Sequence, residues 1–203
     1  MALVLGITGG ISTGKSTVLG ILARLGALTL SADEIAREVL EKDGPAYRDV
    51  VECFGPGVVG SGGEIDRAAL ARTIFDDAQA REKLNRLTHP HIIREIQDRI
   101  DAFRVNPPRP DSVMAVEIPL LIECGLEGMV DQVLLVAAEQ DHQVGRLTSR
   151  GGVGREDALR RIASQMPIPA KIGHSDFVIW NNSSLEDLER EVRLLWQRIR
   201  RSS

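Results

Sequence analysis

Gly9-Gly10-Ile11-Ser12-Thr13-Gly14-Lys15-Ser16-Thr17 is the most informative stretch of this sequence. It fits the pattern of a glycine, any four residues and then Gly-Lys-Ser, which is typical of loops that bind phosphate groups. An apolar run at residues 3–7 precedes it and predicts a short strand, and apolar residues at helical spacing follow it. The order strand, loop, helix therefore indicates a phosphate site at one end of a strand.

The chemistry of phosphate binding explains the residue types. Glycines let the backbone approach an oxyanion closely, so that N–H groups of the loop and the N-terminus of the next helix can face the phosphate. Lys15 would reach the β- and γ-phosphates of a nucleotide, and the Ser16 hydroxyl would be a ligand of Mg²⁺. The alternative is a chance glycine-rich turn, which the flanking strand and helix patterns disfavour.

Length and composition limit the class of protein. The 203 residues are enough for one sizeable core with a smaller inserted lobe, and 43% hydrophobic with 27% charged residues is ordinary for a globular chain. A net charge of −4 argues against a general nucleic-acid binder. No apolar stretch is long enough for a membrane span, and we expect no signal peptide. Cys53 and Cys124 form no C-x-x-C pair, so we expect two buried thiols and a cytoplasmic protein.

The alternation of strands and helices predicts a three-layer α/β/α fold with a mostly parallel sheet. Further strands are expected near residues 28–30, 112–117, 131–137 and 176–180, and Ser184 is expected to cap a last helix. We assign residues 1–42, 111–139 and 167–203 to one nucleotide-binding core. Residues 43–110 form an inserted helical lobe, and 140–166 form a lid, all within a single domain.

Two acidic residues follow predicted strands. Asp33 comes just after the second strand, where open α/β sheets place ligands, but it is equally expected as a plain helix cap. Glu117 ends a buried strand, as a carboxylate that supports Mg²⁺ would, although many strands end in an acid.

The inserted lobe is predicted to contain helices at Arg67–Phe75, 77–88 and 90–103. His89 and His91 flank Pro90 at the junction of the last two, where we expect a helix break rather than a metal site.

An arginine-rich pair of helices is predicted after the fourth strand. Arg146 and Arg150 share one helix face, residues 151–154 interrupt the helix, and Arg160 and Arg161 follow. The segment is either a solvated basic face or a lid that closes over the γ-phosphate, and the phosphate loop favours the lid.

These features together favour a small-molecule kinase. The chain lacks the Asn-Lys-x-Asp stretch of GTPases and is short for a motor ATPase. A helical lobe and a lid would enclose a small acceptor and exclude water, as phosphoryl transfer requires.

The sequence resembles the dephospho-coenzyme A kinases over nearly its whole length. The matching elements include residues 5–11 with 14–17, Ala32-Asp33, Ile65-Asp66-Arg67, His89-Pro90, Pro119-Leu120-Leu121 with Glu123, Gln143 with Arg146 and Arg150, Gln165-Met166-Pro167, Lys171 and Asn181. The resemblance implies transfer of the ATP γ-phosphate to the ribose 3′-hydroxyl of dephospho-CoA, with ATP and Mg²⁺ and without nucleic-acid or membrane partners. It leaves a monomer and a small homo-oligomer both open.

The resemblance also implies roles for individual residues. The catalytic residues would be Asp33, Lys15 and Arg146. ATP would be bound by Gly10, Ile11, Ser12, Thr13, Gly14, Lys15, Ser16, Thr17 and Arg150. Dephospho-CoA would be bound by Thr8, Asp33, Arg67 and His89, and Mg²⁺ by Ser16 with Glu117.

The chain departs from the family pattern at a few positions. Ser12 stands where the family usually has glycine, Ser31 replaces a common aspartate, and Glu117 stands where aspartate is frequent. Two alternatives remain open: a phosphate-loop kinase with another small acceptor, and a nucleotide-binding module without catalysis.

Overall fold

The computed structural model describes residues 2–75 and 77–202, and for residues 150, 151 and 202 it describes the backbone alone. Within this part of the chain five strands form one sheet: β1 (Leu3–Gly9), β2 (Leu28–Ser31), β3 (Val113–Glu117), β4 (Gln132–Ala137) and β5 (Phe177–Trp180). Their order is β2-β3-β1-β4-β5, and every pairing is parallel. The predicted α/β class with a parallel sheet is confirmed.

The helices in chain order are α1 (Lys15–Arg24), α2 (Ala32–Glu38), α3 (Tyr47–Phe54), α4 (Arg67–Phe75), α5 (Ala78–Val105), α6 (Gln140–Gly151), α7 (Arg155–Ala163), α8 (Ile168–Ile172) and α9 (Leu185–Ser202). Short 3₁₀ helices lie at Pro56–Val58 and Glu127–Met129. The chain divides into two units, one up to Ser31 and from Ile100 onwards, the other Ala32–Arg99. The sequence places the helical lobe at 43–110, and its use for substrate remains a prediction.

One apolar cluster of the first unit lies on a single face of the sheet. Inward-facing residues of four strands pack against α1 and α9 there. The strand residues are Leu5, Ile7, Val113, Ala115, Leu134, Val136 and Ile179. On the opposite face of β1, a Cβ on Gly6 would lie 2.9 Å from the Leu121 side chain and 3.0 Å from that of Val130. Burial on both faces explains why these strands are continuous apolar runs rather than alternating ones.

The start of α9 is fixed by a side-chain cap. The Ser184 hydroxyl accepts from the Asp187 N–H at 3.2 Å and donates to the Asp187 carboxylate at 2.9 Å. The Ser184 hydroxyl and then the Arg190 guanidinium hold the pKa of Asp187 below its usual value. The predicted cap is confirmed.

The second unit has an apolar core of its own. Val50, Val58, Ile65 and Leu70 are buried there, and α5 contributes Leu84 and Leu87. The Asp66 carboxylate accepts from the N–H groups of Ala68 and Ala69, at 2.9 and 3.0 Å, and so caps α4.

The predicted break at Pro90 is wrong, because α5 continues through it as one helix of 28 residues. Proline lacks an N–H and costs a helix interior about 3 kcal/mol. Packing on both sides of the proline offsets this cost, since Leu87 packs into the apolar core of the second unit and Ile96 is buried.

Both cysteines are free as expected, but Cys53 and Cys124 are exposed, so their predicted burial is wrong. The spacing of the two residues in the sequence does not reveal this exposure. Among residues 2–75 and 77–202, no helix is long and apolar enough to cross a membrane.

Lys171 and Glu123 form a buried ion pair in the first unit. The side chain of Lys171 is fully buried in α8, and its Nζ lies 2.5 Å from Glu123 Oε1. Removing one partner of such a pair leaves an uncompensated charge, whereas replacing both by apolar residues is often tolerated.

We therefore expect Lys171→Met to lower the free energy of unfolding by about 3 kcal/mol, and Lys171→Met with Glu123→Leu to recover most of that loss. Urea unfolding at neutral pH measures both variants. A double variant no more stable than Lys171→Met alone would contradict an ionic origin of the effect.

Candidate nucleotide-phosphate site

The loop between β1 and α1 requires glycine at two positions. A Cβ on Gly9 would lie 2.1 Å from the Val136 carbonyl oxygen of the neighbouring strand β4. Gly14 has a φ of 101°, and a Cβ there would lie 2.3 Å from Asn181 Nδ2. Lys15 then begins α1, so the N-terminus of this helix adjoins the loop, as anion binding requires.

The side chain of Lys15 lies against the backbone of the loop. Its Nζ donates to the Gly10 carbonyl oxygen at 2.9 Å and to that of Gly9 at 3.3 Å. The ammonium group is thereby held beside the N-terminus of α1, so that its charge and the helix dipole would both attract a bound phosphate.

Ser16 and Glu117 meet at the same edge of the sheet. The exposed Ser16 hydroxyl donates to Glu117 Oε1 at 3.1 Å. Glu117 is buried at the carboxyl end of β3, which pairs directly with β1. A hydroxyl and a carboxylate are hard oxygen ligands that suit Mg²⁺, which usually takes one or two protein ligands with waters and phosphate oxygens. Among the residues described, no group of three or more His, Cys, Asp or Glu side chains could hold a metal.

Arg146 of α6 reaches the phosphate loop. Its guanidinium donates to the carbonyl oxygens of Ser12 at 3.3 Å and Thr13 at 3.4 Å, and to that of Asn181 at 2.7 Å. Arg146 therefore lies beside the loop as the sequence predicts. Arg150 is in the same helix, but its side chain lies outside the described part of the structure.

Three residues at this site were given no role in the sequence analysis. Asn181, directly after β5, donates from Nδ2 to the Thr13 carbonyl oxygen at 2.8 Å. Gln143 and Gln165 contact Ile11, with one hydrogen bond of 2.7 Å each. All three belong to the elements that resemble the kinase family, which was the signal available. Their partners are backbone atoms more than 130 positions away, which no local pattern predicts.

The predicted substrate residues of the second unit lie on three helices. Asp33 is exposed in the first turn of α2, directly after β2. Arg67 is exposed at the start of α4, and His89 is half-buried within α5. Thr8 belongs to the first unit, is fully buried and donates its hydroxyl to the Pro119 carbonyl oxygen at 3.1 Å. The contacts of these residues with a substrate remain predictions.

A family model described as dephospho-CoA kinase matches residues 3–187. The chain belongs to the dephospho-CoA kinase family. Two curated relatives with the name dephospho-CoA kinase support this membership. The relative from Moorella thermoacetica is 42% identical over 198 residues, which cover 98% of this chain and 92% of that protein. The relative from Geobacter metallireducens is 43% identical over 196 residues, 96% of each chain.

Solved structures agree with this membership. A crystal structure from Thermus thermophilus is 35% identical with a TM-score of 0.75, and covers 97% of both chains. The dephospho-CoA kinase from Campylobacter jejuni is 26% identical with a TM-score of 0.70, over 98% of this chain and 97% of that one. Shikimate kinase from Acinetobacter baumannii shares only the fold, at 14% identity and a TM-score of 0.55, over 97% of this chain and 94% of that one.

Ser12 adopts a left-handed backbone conformation, with a φ of 57°. This conformation is less stable by roughly 1–2 kcal/mol for a residue with a Cβ, whereas glycine adopts it readily. The serine that replaces the usual glycine therefore introduces strain into the loop without removing any backbone N–H group.

We expect Ser12→Gly to leave the free energy of unfolding unchanged or raise it by up to about 1 kcal/mol, and Ser12→Val to lower it by at least about 1 kcal/mol. Ser164→Gly is the matched control, because Ser164 has an ordinary φ of −77° at the end of α7. The control should lose stability, by roughly 0.5–1 kcal/mol, because glycine is more flexible in the unfolded chain and the Ser164 hydroxyl no longer donates to the Arg161 carbonyl oxygen. Urea unfolding measures all three, and equal losses for both glycine variants would argue against strain at Ser12.

Proposed function

We propose that this protein transfers the γ-phosphate of ATP to the 3′-hydroxyl of the ribose of dephospho-CoA, giving CoA and ADP, the final step of coenzyme A synthesis. The observation behind the proposal is the phosphate loop, with Lys15 and the Ser16–Glu117 pair at its helix N-terminus, in a chain of the dephospho-CoA kinase family. Such enzymes act mainly by positioning the phosphates and neutralising their charge.

The loop and its neighbours would perform the electrostatic part of the reaction. Among residues 10–17, the N–H groups from Ser12 onwards and the N-terminus of α1 would hold the β- and γ-phosphates, and Lys15 would exchange its loop carbonyls for phosphate oxygens. Arg146, already beside Ser12 and Thr13, would offset charge that develops on the transferred group. Arg150 would contact ATP from the same helix, and residues 140–166 would exclude water as a lid.

The oxygen ligands at the edge of the sheet fit Mg²⁺. Ser16 and Glu117 would hold the ion, which when bound neutralises charge on the β- and γ-phosphates. The side chain of Glu117 already reaches the Ser16 hydroxyl, so its extra methylene does not prevent a shared role.

The acceptor would be bound by Asp33 at the start of α2 and by residues of the helical lobe. Asp33 would orient or deprotonate the attacking 3′-hydroxyl, as a carboxylate does in many kinases. Arg67, His89 and Thr8 would bind dephospho-CoA. We further propose that the protein is cytoplasmic, because the exposed thiols of Cys53 and Cys124 suit a reducing compartment. We also propose that it is a monomer or a small homo-oligomer.

Mass spectrometry tests the reaction directly. Purified protein with MgATP and dephospho-CoA should yield dephospho-CoA heavier by one phosphoryl group, and Lys15→Ala should yield none because the phosphates lose their principal cation. Arg24→Ala, at the exposed other end of α1, is the matched control and should keep the activity. ATP binding with no product would refute the proposed substrate, and phosphorylation of a different acceptor from a panel would identify another kinase.

Asp33→Asn should reduce kcat by about 100-fold or more while ATP affinity changes little, since general base catalysis contributes about 10²–10⁴-fold. Glu34→Gln, at the exposed neighbouring position of α2, should retain kcat. Steady-state kinetics with each substrate varied measure both variants. An unchanged kcat for Asp33→Asn would leave Asp33 with the role of an acidic residue in the first turn of a helix.

A further inference from the structure

Two glutamine side chains bind both backbone polar groups of one loop residue. Gln165 Oε1 accepts from the Ile11 N–H at 2.7 Å, and Gln143 Nε2 donates to the Ile11 carbonyl oxygen at 2.7 Å. We call Gln143 and Gln165 the glutamine clamp. Gln143 lies in α6 and Gln165 follows the end of α7, so the clamp joins the phosphate loop to both ends of this helix pair.

The rest of Ile11 is held by apolar packing. Its side chain packs against the cluster that Val144, Leu147 and Ala158 form between α6 and α7. Gln143 is itself buried, and a Cβ on Gly10 would lie 2.6 Å from its Nε2. Glycine at position 10 therefore leaves room for the side-chain amide of Gln143, which binds the Ile11 carbonyl oxygen.

The next residue explains why such a clamp is needed. Ser12 is in the left-handed conformation, and a strained backbone persists only where its surroundings over-determine it. On its other side, Arg146 binds the carbonyl oxygens of Ser12 and Thr13, and Asn181 also binds that of Thr13. The strained residue thus lies between two sets of hydrogen bonds that come from α6, from the end of α7 and from the segment after β5.

We propose that Gln143 and Gln165 are positioning residues that fix the backbone on both sides of Ile11, and so hold the loop from Ser12 onwards in its phosphate-binding conformation before a nucleotide arrives. The Ile11 N–H is occupied by Gln165, so the phosphates are bound by the later N–H groups of the loop. The proposal rests on the proposed kinase function for its kinetic consequences, but the state of the loop is measurable without it.

Hydrogen exchange of the Ile11 amide tests the clamp in the protein without nucleotide. Gln165→Met removes the acceptor and should speed exchange at this amide by about tenfold or more, because a broken hydrogen bond opens the site locally. Gln140→Met, at the exposed start of α6, is the matched control and should leave exchange unchanged. Unchanged exchange in Gln165→Met would overturn the proposal.

Gln165 accepts a hydrogen bond from Ile11, whereas Gln143 donates one to it. The same substitution at the two positions therefore distinguishes an effect of hydrogen bonding from an effect of side-chain packing. Glutamate still accepts a hydrogen bond but cannot donate one when ionised. At pH 8, Gln165→Glu should therefore retain protection of the Ile11 amide, whereas Gln143→Glu places a carboxylate against a carbonyl oxygen and should lose it. Both variants add the same charge beside the same residue, so equal effects of the two would overturn the assigned roles.

Kinetics then measure the consequence for the reaction. Gln143→Met and Gln165→Met should each lower kcat/KM for ATP by about tenfold, while KM for dephospho-CoA stays within about twofold. In the Ser12→Gly background the same two substitutions should lower kcat/KM for ATP by less than about threefold, because glycine adopts the left-handed conformation without support. Losses that are equal in both backgrounds would overturn the link between the clamp and the strained serine.

The outcomes distinguish this proposal from the proposed function. If the wild-type protein phosphorylates no acceptor, the proposed function is refuted, while hydrogen exchange and ATP binding still test the proposed role of the glutamine clamp. If the wild-type protein is active and both methionine variants bind and use ATP normally, the clamp fails and the function stands.

Discussion

The phosphate loop depends on hydrogen bonds that neither a helix nor a strand can supply. Each buried carbonyl or N–H group of the loop that lacked a hydrogen-bond partner would cost roughly 1–3 kcal/mol. In this protein side chains from distant segments provide the partners: Asn181 and Arg146 bind the carbonyl oxygen of Thr13, and the glutamine clamp binds Ile11. The loop is therefore held by the fold around it.

The parallel sheet brings those segments together. With β1 between β3 and β4, the carboxyl ends of neighbouring strands meet at one edge, which is where open α/β sheets bind ligands. Glu117 ends β3, α6 begins shortly after β4, and Asn181 follows β5, so three connections reach the loop. The same arrangement places α6 and α7 beside the loop, and a movement of these helices would involve Ile11 because its side chain belongs to their apolar cluster.

Particular residues show how far sequence reasoning reached. The loop, the five strands, the helix at Arg67–Phe75 and the cap at Ser184 were predicted, because each depends on residues that are close in the chain. The break at Pro90 was predicted wrongly, because a local rule about proline was outweighed by packing of Leu87 and Ile96. The burial of Cys53 and Cys124 was also wrong, since burial depends on which face of a segment the fold covers.

The order of residues in the chain was sufficient for the phosphate loop, the α/β class and the resemblance to one kinase family, because a glycine pattern and apolar periodicity act over a few residues. Only the tertiary structure decided how the loop is held. It revealed the left-handed Ser12, the clamp on Ile11 and the buried pair of Lys171 with Glu123. The physical reason is distance along the chain. The clamp and the ion pair join residues that only the folded protein brings into contact, and Ser12 lies between hydrogen bonds from such residues.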